Sequence, residues 1–453
     1  MPPGTPLGPV RSRRLSSTRR QIAALAWPIV LANASVPLLG LVDTAVIGNA
    51  GTARELGAIA LGVLIFNFLY WSFGFLRMGT TGFTAQAWGA GDKTEVRATL
   101  GRALLLAAVL GTGLILLRRP IGGTAIALLQ ADPATEDFTA SYFFLRIWGA
   151  PASLGIFAVL GSFVGTGRTD HLLRTQLFLN GLNAALDLLL AGLLGMGVRG
   201  IALGTVIAEW ATLGLCLAVV GAAMRRRAGD GEELWPWARI GDVRRVLPML
   251  AANGNIMVRT LFLITGFAWF TNQSAGLGTE VLAANHILLQ LVSLSAYLLD
   301  GYANATEILV GRAVGTGKRG AFDAAVRAAT ELAGITAILL GAAVLLLGPT
   351  AVSALTDLAP VREVAERHLV WTAAYVAASF AAFQLDGVFI GATGTTEMRN
   401  ASILSFVAFY AASRILTPLL GNDGLWLAFL LYVTARAVAL GLFYPRLRRG
   451  VAN

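Results

Sequence analysis

The chain has 453 residues, 56% of them hydrophobic and only 13% charged, with a mean hydropathy of +0.69. That balance excludes an ordinary soluble domain and fits a polytopic helical membrane protein. The formal net charge of +10 reads as basic loops gathered on one side of a bilayer rather than as a nucleic-acid site, and the single cysteine, Cys216, excludes a disulfide framework or a zinc pattern.

Residues 1–20 carry Arg11, Arg13, Arg14, Arg19 and Arg20. They resemble the basic start of a signal peptide, but the apolar run that follows is too long and contains Asp43. They are expected to hold the amino terminus in the cytoplasm. The run Pro28 to Gly48, PIVLANASVPLLGLVDTAVIG, reads as a membrane span with one carboxylate, Asp43, and two prolines, Pro28 and Pro37. A charge at depth costs about 2.5 kcal/mol or more, so its presence points to function. Each proline removes a backbone donor and favours a bend. Asp43 on a bendable first helix is therefore expected to be an ion-coupling element.

Hydropathy divides the rest into spans of roughly 20 residues, about twelve in all. They lie near 21–48, 56–78, 98–117, 139–165, 170–195, 198–223, 244–270, 282–312, 322–347, 364–392, 398–421 and 424–445. Lys93, Arg168, Arg225, Arg239, Lys318, Arg446, Arg448 and Arg449 then fall on the side of the amino terminus, and Arg118, Arg119 and Arg199 oppose the trend. The sum places both termini inside. The polar stretch RRRAGDGEELWPW (Arg225 to Trp237) reads as a connection between halves. The expected organisation is a basic start (1–20), a first lobe of six spans (21–223), a cytoplasmic linker (224–243), a second lobe of six spans (244–445) and a cytoplasmic tail (446–453).

The halves resemble each other. Phe163-Val164-Gly165-Thr166-Gly167 matches Phe389-Ile390-Gly391-Ala392-Thr393, Gly89-Ala90-Gly91-Asp92-Lys93 matches Gly315-Thr316-Gly317-Lys318-Arg319, and the turn at Gly195 matches that at Gly421. All three pairs stand 226 residues apart (389 − 163, 315 − 89, 421 − 195). A duplicated unit of six spans has two copies of the same orientation, the parallel-repeat plan of some secondary transporters. The expected fold is all-α and integral to the membrane, with two pseudo-symmetric six-helix lobes. That symmetry makes a monomer sufficient.

Depth selects the polar groups. Asp43 in span 1, Asp187 in span 5 and Thr205 in span 6 all fall in the outer half, and Asn183 is one turn from Asp187. Two carboxylates, an amide and a hydroxyl at one level make an oxygen set that could hold Na⁺ or share a proton. Taken singly, Asn183 and Thr205 could instead join neighbouring helices. Glu209, one turn past Thr205, either shares that face or pairs with a buried arginine such as Arg146. Tyr142, Trp148 and Trp210 could line a cavity for flat cations or simply pack. The second lobe holds Arg259, Asp300, Glu307 and Asp386, which form either a structural network or a second ligand site.

Enzymatic readings have no support in the sequence. The three histidines, His171, His286 and His368, are far apart, and there is no HExxH or GxSxG. GRAVGTGKR (Gly311 to Arg319) lacks the glycine spacing and the Ser/Thr of a phosphate-binding loop. No cofactor is expected.

Several stretches resemble the MATE family of multidrug and toxic compound extrusion transporters, in its DinF-type (DNA-damage-inducible) branch. They are VPLLGLVDTAVIGNAG (Val36 to Gly51), LRMGTTGFTAQAWGAGD (Leu76 to Asp92), NGLNAALD (Asn180 to Asp187), ALGTVIAEWATL (Ala202 to Leu213), LLDGYANATE (Leu298 to Glu307) and LDGVFIGATGTTEMRN (Leu385 to Asn400). The resemblance implies an inner-membrane antiporter that exports amphipathic, often cationic compounds in exchange for H⁺ or Na⁺. Asp43 resembles the first-helix aspartate whose protonation or ion binding is coupled to bending, and Pro28 the proline at which the bend occurs. Asn183, Asp187 and Thr205 resemble the rest of the amino-lobe cation site, Tyr142 a cavity tyrosine, and Asp386 an acidic family position. Span 7 offers Asn255 and Arg259 where other branches place an acid. The rival within the same superfamily is a lipid-linked precursor flippase, which would need a broad basic cavity. A membrane-embedded enzyme is the rival from another class.

Overall fold

The computed structural model describes residues 9–50, 52–129, 132–225 and 233–451, with the side chains of 9–16, 36–44 and 47–50 outside the description. Twelve long helices form among the described residues. They are α1 (Pro9–Ala50), α2 (Ala53–Gly89), α3 (Lys93–Leu116), α4 (Pro133–Gly165), α5 (Thr169–Leu193), α6 (Gly197–Arg225), α7 (Val243–Gly276), α8 (Thr279–Gly315), α9 (Arg319–Leu355), α10 (Ala359–Gly391), α11 (395–420) and α12 (422–450). α11 and α12 are one hydrogen-bonded run broken by the non-helical Gly421. Each of α2 to α10, and the run that contains α11 and α12, is long and apolar enough to cross a membrane. Each predicted span sits within one helix, give or take a turn at its ends.

The duplication is written in the backbone. Positive φ occurs at Gly91 (75°) and Gly317 (65°), at Gly167 (72°) and Thr393 (56°), and at Gly195 (65°) and Gly421 (60°). Each pair keeps the spacing of 226 seen in the sequence. Left-handed backbone suits glycine, and a β-branched residue there is strained, so Thr393 holds its shape because the repeated turn demands it.

Two compact units divide the helices. One comprises Leu31–Leu250, the other Met1–Val30 with Ala251–Asn453. The division falls inside α1, two residues past Pro28, and inside α7, two residues past Pro248. The unit 31–250 is built on α4, whose residues Ala150 to Gly165 are nearly all buried. Glycines bring its neighbours close. A Cβ at Gly161 would stand 2.5 Å from the Arg77 carbonyl oxygen and one at Gly165 2.7 Å from that of Thr81, the close backbone approach of small-residue helix packing. After α6 the chain returns to α3. Ile240 of the short helix Trp237–Ile240 fits the notch at Gly101, and Arg239 pairs with Asp92 at 2.7 Å. Part of the expected linker is thus packed structure.

The other unit is centred on α10 and an aromatic cluster. Phe270, Phe409, Trp426 and Phe429 are fully buried, and Tyr375 stacks on Phe429 with centroids 4.4 Å apart. Offset and edge-on ring pairs of this kind add to area burial. The first part of α1 packs in this unit, with Ile22 and Ala26 against Ala305, Ala328 and Ala329.

Candidate cation site

α5 and α6 meet through a Gly-x-x-x-Gly face, Gly200 to Gly204. A Cβ at Gly200 would lie 2.7 Å from the Ala191 nitrogen. One at Gly204 would lie 2.7 Å from Asp187 Oδ1. The missing side chain is what gives the Asp187 carboxylate its place. Asp187 is fully buried, and the helix changes to a π-helix at Leu188–Leu193, immediately after it. Single π turns in α-helices are frequent at functional sites.

Asn183, also buried, links Asp187 to α6. Oriented to satisfy its neighbours, its amide nitrogen donates to Asp187 Oδ2 at 3.2 Å, and its oxygen accepts from the Thr205 backbone N–H at 3.2 Å and hydroxyl at 3.0 Å. The Thr205 hydroxyl also lies 2.8 Å from the Ile201 carbonyl. The structure therefore brings Asn183, Asp187 and Thr205 together. A buried carboxylate with an amide and a hydroxyl beside it suits a proton, and a small cation once the amide turns its oxygen toward the carboxylate. Among the described residues no three His, Cys, Asp or Glu side chains gather into a metal-binding group.

α1 runs beside α5 in parallel. Asn180 donates to Ser35 Oγ at 2.9 Å, and a Cβ at Gly192 would lie 4.0 Å from Val46 Cγ1. The contacts are 11 residues apart on α1 (46 − 35) and 12 on α5 (192 − 180). That register brings the helical turn of residue 43 level with Asp187. The Asp43 side chain itself lies outside the described residues. Pro28 is half-buried within continuous helix.

Glu209 takes the other of its two expected partners. Arg146 Nη2 and Nη1 lie 2.6 and 2.8 Å from its two oxygens, and both residues are buried. The guanidinium also lies over the rings of Phe66, at 5.0 Å, and Tyr70, at 5.5 Å. A two-point pair with aromatic faces satisfies both charges in place. Tyr142 is buried in the notch left by Gly62, edge-on to Phe66. Trp148 and Trp210 are about half exposed and joined by a 3.1 Å bond from the Trp210 indole to the Trp148 carbonyl.

In the second lobe Arg259 pairs with Asp386, and Arg436 approaches the same carboxylate at 3.8 Å. All three are buried. Asp300 accepts from Asn304 at 3.0 Å, and Glu307 is buried where α8 closes on Gly391 of α10. Arg436 escaped the sequence reading, although a lone arginine inside span 12 was its signal. The π-helix and the glycine face of α6 escaped it too. At the repeat positions of Asn183 and Asp187 stand Phe409 and Ser413. Phe409 is fully buried and stacks on Tyr432. The second lobe thus fills with aromatic core the place where the first holds its carboxylate.

The MatE family model matches residues 28–189 and again 256–412. This chain belongs to the MatE family. The two matches start 228 residues apart (256 − 28), close to the internal spacing. Among its relatives, DNA damage-inducible protein F of Escherichia coli is 38% identical across 95% of this chain and 93% of its own length. A probable multidrug resistance protein NorM of Deinococcus radiodurans is 28% identical, with 96% of each chain covered. The fold matches a multidrug resistance MATE family transporter of the MOP superfamily solved facing outward, with TM-score 0.85, 18% identity and 96% of each chain covered. It also matches a MATE solved in the bent conformation, with TM-score 0.86. As a MatE protein the chain is a multi-pass membrane transporter and not an enzyme.

Proposed function

We propose that this MatE protein is a cation-coupled antiporter that exports amphipathic or cationic small molecules by alternating access. The observation that carries the reading is Asp187, fully buried beside Asn183 and Thr205 and level with the Asp43 turn of α1. H⁺ or Na⁺ binds at Asp43, Asn183, Asp187 and Thr205. Neutralising the two carboxylates lets α1 bend at Pro28, where the ring removes a backbone hydrogen bond. The bend reshapes the amino lobe and weakens its hold on the exported compound. Coupling runs both ways, because each ligand shifts the equilibrium only through its differential affinity for the two states. Tyr142, Trp148 and Trp210 belong to the walls of that lobe, and Glu209 with Arg146 forms its fixed frame. The Arg259–Asp386–Arg436 cluster is the frame of the second lobe.

The protein works as a monomer in the bacterial inner membrane, with both termini cytoplasmic, as the arginines of the start and tail favour. The name of the D. radiodurans relative, a probable multidrug resistance protein, supports drug export, and neither it nor the E. coli relative is named a flippase. The test is transport of a fluorescent cation in proteoliposomes under an imposed pH gradient and, separately, an imposed Na⁺ gradient. Transport that follows one gradient and disappears in folded Asp43→Asn is expected. Transport indifferent to both gradients and to Asp43 overturns the reading.

A further inference from the structure

A cavity of about 110 Å³ opens between the ends of α2, α3, α4 and α6, and Asp187 is not among the residues that line it. A water needs about 10–15 Å³ of such space, so a phosphate-sized group fits. Lys93, Arg97 and Arg168 line it together with Trp88, Phe163 and Val220, and among the described residues none that lines it is acidic. Lys93 and Arg97 are one turn apart on α3, and Arg168 comes from the turn between α4 and α5. The acids interleaved on α3 are engaged elsewhere. Asp92 holds Arg239, and Glu95 holds Arg102 and Arg245.

The second repeat shows what closes such a space. There Phe322, Asp323 and Gly394 stand at the positions of Val96, Arg97 and Arg168. Asp323 binds Arg448 of α12 through two bonds of 2.6 Å. Tyr444 stacks on Phe322 with centroids 6.1 Å apart. A Cβ at Gly394 would meet Leu447 at 2.8 Å. The chain's own last helix fills the second copy. In the first copy a smaller apolar residue and two arginines stand in place of the residues that seat that plug.

We infer that the Lys93–Arg97–Arg168 cavity binds the phosphodiester head group of an anionic phospholipid. Guanidinium groups match phosphate oxygens two at a time, and basic pockets at helix ends accept lipid head groups. The apolar wall of Phe163, Val220 and Trp88 receives the adjoining glycerol and chain. Nothing in this inference depends on the coupling ion or the exported compound.

The experiment is thermal unfolding of the purified full chain in detergent, with added phosphatidylglycerol, phosphatidylcholine or inorganic phosphate. Phosphatidylglycerol is expected to raise the midpoint of the wild type more than phosphatidylcholine does, as a ligand of the folded state must. Lys93→Gln/Arg168→Gln is expected to lose most of that difference, while exposed Arg174→Gln keeps it. Where the double variant does not fold, the count of phosphatidylglycerol retained by Lys93→Gln in native mass spectrometry replaces the midpoint and is expected to fall. Equal response to the two lipids overturns the assignment. So does a difference, or a lipid count, that survives in the cavity variants. Stabilisation by inorganic phosphate with none by phosphatidylglycerol overturns it in favour of a free anion.

Discussion

Gly204 faces Asp187 so closely that a methyl group on it would come within 2.7 Å of the carboxylate oxygen. The contact pairs the Gly-x-x-x-Gly face of α6 with the end of the α-helical part of α5. Gly204→Ala must push Asp187 aside or part the helices, at about 1–3 kcal/mol for overpacking. The expected outcome is a folded protein with transport reduced at least tenfold, measured in proteoliposomes. Wild-type transport with unchanged stability would show that the carboxylate does not need this position.

Under the proposed function the buried Arg146–Glu209 pair is framework and not an ion carrier. Removing one partner of a buried pair costs about 3–5 kcal/mol, because the other charge is left unpaired. Glu209→Gln and Arg146→Met should each unfold at markedly lower temperature, and the joint variant Arg146→Met/Glu209→Gln should recover a good part of the loss. Thermal unfolding checks the stability, and gradient-driven transport by the joint variant checks the role. A joint variant that is stable but cannot couple transport to an ion gradient would give Glu209 a part in coupling.

Thr393 carries φ 56°, where the matching turn of the first repeat has Gly167. A left-handed residue with a side chain costs about 1–2 kcal/mol, and glycine returns about 0.4–1 kcal/mol of that through the freedom of its unfolded chain. Thr393→Gly should therefore stabilise slightly, by about 0.5–1 kcal/mol. A small rise in the unfolding midpoint is expected, and a fall of several degrees would show that the threonine side chain contributes more than its backbone costs.

Asp92 gives a pH signature outside the membrane. Burial raises its pKa, but the Glu95 backbone N–H and the charges of Arg239 and Arg245 outweigh it and hold the carboxyl below its usual value. A depressed folded pKa adds stability that is complete above the unfolded value of about 3.9. That stability disappears as pH falls through the folded value. Unfolding midpoints of the wild type and Asp92→Asn should converge on acidification below about pH 4. A gap that stays constant through that range would contradict an ionic link between Asp92 and Arg239.

The span pattern and the duplication were legible because both are periodic and local. Membrane-length apolar runs mark the helices, and Gly91 and Gly195 repeat as Gly317 and Gly421 at positions whose backbone needs positive φ. Asn183 and Asp187 were legible as a pair because one helical turn joins them. The partner of Glu209 was not, because Arg146 lies 63 residues away and helix packing alone decides between it and Thr205. Arg436 was hidden for the same reason, since only the fold brings α12 to Asp386. The basic cavity was invisible because Lys93 and Arg168 read as ordinary loop charges until α3 and α4 place them on one wall.

The most direct test of the account is proton or Na⁺ release when a transported cation is added to the purified protein in weakly buffered detergent. The account predicts release from the wild type, and from a folded Asp386→Asn, but none from Asp43→Asn or Asp187→Asn. Release that persists in both amino-lobe variants, or that disappears only in Asp386→Asn, would contradict it and move the coupling site to the second lobe.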